Sequence, residues 1–365
     1  MNRLQTRIKA LIEAAGPIPV SEYMTLCLGD PENGYYTTRD PIGAAGDFVT
    51  APEVSQMFGE LIGVWCMAVH EAMGAPNAVH LVELGPGHGT LMADLLRAAR
   101  IRPDFAAAAK VHLVETSPTL RARQAATLRG LAEPIWHERL DDVPDGPAIV
   151  IANEFFDALA IRQLVRTEDA WRERLVGLDQ SGNLTFGLGA GKIDPALLPP
   201  ELPQAKPGAV FELRRAGEAM MAALGECAVR FGGAVLVIDY GHTASGMGDT
   251  LQAVGKHARA NVLERPGEVD MTAHVDFAAL ARAAKGAGAT VEGPVNQGEF
   301  LIALGLLERA GALGAGRSKA EQDEITASVE RLAGPDEMGT LFKVMAVTGG
   351  ISVPGFARLS TGASL

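Results

Sequence analysis

From Val79 onward the chain alternates short, fully apolar runs with stretches of helical periodicity: HLVELG, then TLMADLLRAAR, VHLVETS, PTLRARQAATLRG, and later AIVIAN and AVLVIDYG. Strands apolar on both faces and separated by helices predict a parallel sheet covered on both sides. Before them, up to about Ala75, the pattern reads as helices around a loop rich in glycine and aromatic residues, GYYTTRDPIGAAGDFVTAPE. Pro52 is then expected in the first turn of one long helix through VSQMFGELIGVWCMAVHEAM.

Two segments break the rhythm. IRQLVRTEDAWRERLVGLDQSGNLTFGL alternates polar and apolar positions around DQSGN, which predicts a β-hairpin insertion over 161–190. A second, helical insertion is expected over 297–340, before a last strand at FKVMAVTG, with a loose tail beyond Val353. The predicted organisation is an N-terminal helical cover over 1–75 and an α/β domain over 76–353.

Length and composition add exclusions. With 365 residues, 47% hydrophobic, the chain buries a full core without staples, and Cys27, Cys66 and Cys227 form no CxxC pair. No apolar run reaches the roughly 18 residues of a membrane span. The first residues are basic and place Leu4, Ile8, Leu11 and Ile12 on one face. That face is expected to pack on the domain, although it superficially resembles a transit peptide. A formal charge of −12 argues against nonspecific nucleic-acid binding and suits a cationic or neutral partner.

In VELGPGHGT, Gly85, Gly87 and Gly89 stand where a buried strand turns into a helix, so that a ligand can approach the backbone. The spacing is GxGxG rather than GxGxxG. Glu83, just before the first glycine, suits an ammonium group better than a pyrophosphate, and S-adenosylmethionine offers such an ammonium. Glu115 ends the second strand, where a carboxylate accepts hydrogen bonds from ribose hydroxyls.

PAIVIA runs into Asn153, Glu154, Phe155, Phe156 and Asp157, polar groups at the carboxyl end of a central strand. Glu154 and Asp157 are candidates to face a cationic acceptor; the alternative is a helix cap and a first-turn acid. VIDYGH adds Asp239, Tyr240 and His242, and DMTAHVDF adds Asp270, His274 and Asp276. His274 is a candidate for a direct role, against a structural one. Without an HxxxH or HxH pairing, no metal is expected.

GYYTTRDPIGAAGDFVTAPEVSQMFGELIGVW, VELGPGHGTLMADLLR, ANEFFDALAIRQ, VIDYGH and TAHVDF together resemble the MidA family. These are class I S-adenosylmethionine-dependent methyltransferases that include the mitochondrial protein-arginine methyltransferase assisting assembly of respiratory complex I. The resemblance implies a Rossmann-like α/β fold with a seven-stranded, mostly parallel sheet and an antiparallel final strand. It also implies that GDFVTAPE closes over the cofactor, adding Gly46, Asp47, Phe48, Thr50 and Glu53 to Glu83, Gly85, Gly87, Gly89 and Glu115. It strengthens Glu154 and Asp157, with Asn153 beside them, as guanidinium-binding groups. The implied acceptor is an arginine of a protein substrate such as a complex I subunit. The implied location is the cytoplasm for a bacterial protein, or the mitochondrial matrix for a eukaryotic one. Two other functions stay open at this point: methylation of a small amine or guanidine metabolite, and a largely non-catalytic assembly factor.

Overall fold

The computed structural model describes residues 2–38, 50–199, 205–255 and 258–356. Its central sheet is built from β1 (Val79–Leu84), β2 (Ala109–Val114), β3 (Ile135–His137), β4 (Ala148–Asn153), β5 (Gly233–His242), β6 (Thr290–Asn296) and β7 (Phe342–Thr348). The spatial order is β3-β2-β1-β4-β5-β7-β6. β1 to β5 pair in parallel, while β7 runs antiparallel to both β5 and β6. A short strand, Val275–Asp276, also pairs with the end of β5, so the sheet has one strand more than the expected seven.

Period-two alternation within the apolar runs divides the core. Val79, Leu81, Ile149, Ile151, Leu236 and Ile238 face one side, packed with the helices Gln56–Ala72 and Thr90–Ala99. Val82, Leu84, Val150, Ala152, Val235 and Val237 face the other, under Arg215–Phe231 and Phe277–Gly286. A sheet apolar on both faces thus acquires two helical layers, and the order reverses between β1 and β4. Their carboxyl ends flank the crevice where such sheets bind ligands.

The hairpin predicted around DQSGN forms, as Trp171–Leu178 and Leu184–Leu188 in antiparallel register. Asp179 stabilises its turn by accepting the N–H groups of Ser181 and Asn183, each at 2.8 Å. It belongs to a larger antiparallel sheet with Arg162–Arg166, Val210–Leu213 and Ile18–Pro19. A further three-stranded sheet joins Gln252–Gly255, Ala258–Ala260 and Asp270–Thr272. The helices Arg3–Ala15 and Val20–Gly29 pack between these sheets through Leu4, Ile8, Tyr23 and Met24, against Ile161, Val176 and Met271.

Two local expectations are corrected. Pro52 opens a separate one-turn helix, Ala51–Val54, and Ser55 interrupts it in extended conformation. The Ser55 hydroxyl then accepts the Met57 N–H at 3.3 Å and starts the long helix Gln56–Ala72. Beyond Val353, Phe356 packs against Phe300 with ring centroids 5.3 Å apart, so the first tail residues are anchored by an aromatic contact. Among the described residues no helix is long and apolar enough to cross a membrane.

Candidate functional site

β1 delivers the chain into a turn that needs glycine. Gly85, Gly87 and Gly89 have φ of 60°, 53° and 79°, the left-handed region where a side chain costs energy. The Gly85 N–H donates to the Val114 carbonyl at 3.0 Å, and the Gly89 N–H to the Pro86 carbonyl at 2.7 Å. A Cβ on Gly85 would lie 3.0 Å from the Phe155 ring.

Glu83 is buried one residue before the end of β1, and its Oε2 has no partner. Burial pushes its carboxyl up to about 8. The Oδ1 of Asn153 on β4 is likewise buried and unpartnered. Both residues line a small cavity of about 60 Å³ with Thr50, Glu53, Gly85 and His88. Two orphaned acceptors, one of them a carboxylate, fit an ammonium donor.

At the end of β2, Glu115 accepts the Ser117 N–H at 2.8 Å and the Gln124 amide N–H at 3.2 Å. Its pKa lies above the usual carboxylate range, chiefly through burial. Glu115 and the glycine turn border a larger cavity of about 690 Å³, the size of a cofactor and ligand site.

The Asn153–Asp157 turn forms the far wall. Glu154 is one of two described non-glycine residues at positive φ, 49°. Its N–H donates to Ile238 at 2.8 Å, and its carboxylate accepts the Ala51 N–H at 2.9 Å and the Asn153 amide at 3.2 Å. Glu154 therefore receives the first N–H of the Ala51–Val54 helix instead of capping its own segment. Burial pushes it up to about 7. Asp157 is pushed up to about 6 by burial, against the Tyr240 hydroxyl that hydrogen-bonds to it. Phe156 enters the core, whereas Phe155 lines the cavity.

The cavity also takes in Tyr36, Tyr240, Asp270 and Thr272. The Tyr36 hydroxyl donates to Asp270 Oδ1 at 2.9 Å. The result is two buried carboxylates, Asp157 and Asp270, the half-buried Glu154 and two phenols beside the glycine turn, a polar wall matched to a planar cation. Leu28, Leu140, Leu159 and Met220 add an apolar part to the lining, and Glu138, Arg139 and Asp141 a charged one.

Of the residues singled out by sequence, the structure assembles Glu83, Gly85, Gly87, Glu115, Thr50, Asn153, Glu154 and Asp157 around these two adjoining cavities. Gly89 caps the following helix rather than lining either cavity. Glu53 accepts the Thr90 hydroxyl at 2.6 Å and approaches His88 Nδ1 at 3.6 Å, tying the Ala51–Val54 helix to the glycine turn. His274 lines neither cavity: its ring packs edge-on against Tyr240, centroids 5.3 Å apart, and it meets the site through that ring. Gly46, Asp47 and Phe48 lie outside the described residues. Sequence reasoning missed Gln124 and Tyr36. Tyr36 lies in the quoted GYYTTRDPIG block, whereas nothing in PTLRARQ marks Gln124 as different from a surface helix residue.

Residues 61–295 match Methyltransf_28, a family of S-adenosyl-L-methionine-dependent methyltransferases. The mitochondrial protein arginine methyltransferase NDUFAF7 of Xenopus tropicalis is 38% identical over 376 residues, covering 95% of this chain and 86% of that protein. Its Homo sapiens counterpart is 35% identical over 375 residues, covering 92% and 81%. A Burkholderia thailandensis protein crystallised with S-adenosyl-homocysteine superposes with a TM-score of 0.84 at 30% identity, covering 97% of this chain and 94% of that one. The match to the family model and the identity to these relatives over most of the chain show that it belongs to the Methyltransf_28 family of S-adenosyl-L-methionine-dependent methyltransferases.

Proposed function

We propose that the enzyme methylates an arginine side chain of a protein substrate, with a respiratory complex I subunit as the candidate target. In a bacterium the reaction would take place in the cytoplasm, and in a eukaryote in the mitochondrial matrix. The observation that carries the reading is the acidic wall of Glu154, Asp157 and Asp270, set beside the glycine turn. The naming of the Xenopus and human relatives as protein arginine methyltransferases supports it.

S-adenosylmethionine supplies an electrophilic methyl group on a sulfonium, so the protein needs to hold the acceptor nitrogen in line and manage one proton. Arginine enters as a guanidinium, charged at any physiological pH. Carboxylates beside it orient the plane by paired hydrogen bonds and draw its charge away from the attacking nitrogen. The methylated product is again a guanidinium, so each transfer releases one proton. Glu154 and Asp157, pushed up to about 7 and about 6, are suited to take it near neutral pH. Tyr240 fixes the Asp157 carboxyl, and Tyr36 fixes Asp270.

The test is quantitative mass spectrometry of arginine methylation in a deletion strain complemented with wild type or with Asp157→Asn. The expected result is one or a few arginine sites lost in the deletion, restored by wild type and not by the variant. An arginine methylation profile unchanged by the deletion would overturn the reading.

A further inference from the structure

We propose that Gln124 is a positioning residue for the cofactor's ribose, acting through Glu115 and through the backbone of the glycine turn. Gln124 sits on the helix Pro118–Thr127 and is fully buried. Its amide nitrogen donates to the Gly87 carbonyl at 2.9 Å and to Glu115 Oε2 at 3.2 Å. Its amide oxygen accepts the Trp136 indole N–H at 2.8 Å. One side chain therefore joins the turn after β1, the acid after β2 and the strand β3.

The chemistry of the partners allows only one orientation of this amide. The indole N–H is solely a donor, while the Gly87 carbonyl and the carboxylate are solely acceptors. Turning the amide over would set its oxygen against both acceptors and its N–H groups against the indole, inside a buried site where unmade hydrogen bonds are costly. Trp136 thus locks the amide, and the amide in turn fixes the rotation of the Glu115 carboxylate. The Ser117 N–H occupies one site on Oε1 and Gln124 one site on Oε2. The Thr116 N–H also donates to this carboxylate, whose remaining acceptor capacity borders the larger cavity, where the ribose hydroxyls would bind. The same amide holds the Gly87 carbonyl to one side of the turn along which the cofactor lies. The inference rests on S-adenosylmethionine binding here, and a wild type that failed to bind S-adenosylhomocysteine would expose that failure separately.

The test is isothermal titration calorimetry with two probes, S-adenosylhomocysteine and its 2′-deoxy analogue, on wild type, Gln124→Leu and Trp136→Phe, each checked for folding by circular dichroism. Wild type should prefer the parent ligand. In Gln124→Leu the affinity for the parent should fall about tenfold or more, the size of a lost hydrogen bond to a charged group. The deoxy analogue, already deprived of one of the two hydroxyl contacts, should lose much less, so the two ligands converge. Trp136→Phe keeps the glutamine and frees its orientation, and should move in the same direction by a smaller factor. If Gln124→Leu does not fold, Trp136→Phe carries the comparison alone. A merely structural role would weaken both ligands by the same factor, and that outcome, or no loss at all in the folded variants, would overturn the proposal.

Discussion

One carboxylate oxygen of Asp239 accepts the backbone N–H of Asp157 at 3.2 Å, and the same oxygen accepts the N–H groups of Phe155 and Phe156 at 3.2 and 3.0 Å. Asp239 ends the apolar run of β5 and is fully buried. It builds an anion nest that holds the neighbouring turn, including Glu154 in its left-handed conformation. Burial and the nearby Asp157 and Glu154 raise its pKa well above the ordinary carboxylate range. Asp239→Ala should therefore cost about 2–4 kcal/mol of stability, since the backbone N–H groups of Phe155, Phe156, Asp157 and Tyr240 lose their acceptor. Asp239→Asn, which keeps an acceptor oxygen without the charge, should cost less than half of that. Chemical denaturation measures both, and equal stabilities for the Ala and Asn variants would contradict the nest.

Glu83 is expected to trade stability for cofactor binding. Burial pushes its carboxyl up to about 8 in the folded protein, above the ordinary glutamate value of 4.5. Between those pH values the folded state holds a proton that the unfolded state has released, so stability falls as pH rises through this window. At pH 7 the penalty is at most about 3 kcal/mol. Glu83→Gln should thus raise the melting temperature of the cofactor-free protein at pH 7, with little effect near pH 4, while S-adenosylhomocysteine affinity drops about a hundredfold or more. In wild type at pH 7, an ammonium arriving beside Glu83 should drive its proton off. Calorimetry in buffers of different ionisation enthalpy would show a proton released by wild type and not by the variant. Equal proton counts would assign the release elsewhere.

Gly85→Ala tests the turn. The added Cβ meets the Phe155 ring at 3.0 Å at a φ of 60°, so both strain and contact oppose it. A stability loss of about 1–2 kcal/mol is expected. S-adenosylhomocysteine affinity should fall more steeply than that loss explains, because the methyl group also projects toward the cavity that Gly85 lines. Retained affinity in calorimetry would mean that the ligand keeps its distance from this backbone.

How much of this was legible in the sequence depended on whether the signal was local. β1, β4, β5 and β7 announced themselves as apolar runs, and the glycine turn with Glu83 and Glu115 could be placed because each lies at a strand end. The NEFFD acids, which line the larger cavity, also follow directly on a strand end. The Asp239 nest was not legible: Asp239 was visible as the end of VLVID, but its partners in that turn are 82–84 positions away and share no pattern with it. Pro52 misled because a proline in a first helical turn looks the same whether the helix continues or breaks three residues later, and Ser55 decides that. Gln124 carried no signal, since its burial arises only when β3 brings Trp136 against it. His274 was overvalued because a histidine among acids reads the same whether it faces the cavity or packs behind Tyr240.

The least expected feature is a row of imidazoles across the edge of the sheet, and it makes the final prediction. His80 on β1, His112 on β2 and His137 on β3 are joined by N···N contacts of 2.9 Å each. His80 also donates to the Asp145 backbone, so its Nδ1 is left to accept from His112 Nε2–H, and His112 Nδ1 to accept from His137 Nε2–H. In this neutral arrangement every contact has one donor and one acceptor. A single added proton fits at the His137 end, whereas a second sets N–H against N–H. Burial, then the charges of His80, His137 and Lys110, push His112 down to about 4. Burial also lowers His80 and His137, the latter with Arg121 reinforcing and Asp142 opposing. Histidines kept neutral in the folded state contribute stability that is present above the unfolded pKa of about 6.5 and lost as pH falls toward the folded values. Stability should therefore decline between about pH 6.5 and 4, with His112 accounting for on the order of 1–2 kcal/mol. His112→Phe should be less stable than wild type at pH 7.5, because the partly buried ring nitrogens of His80 and His137 lose their partner, and should show a shallower loss on acidification. Melting temperatures of the two proteins measured across pH 4–8 would decide; parallel curves would show that the row does not titrate with unfolding.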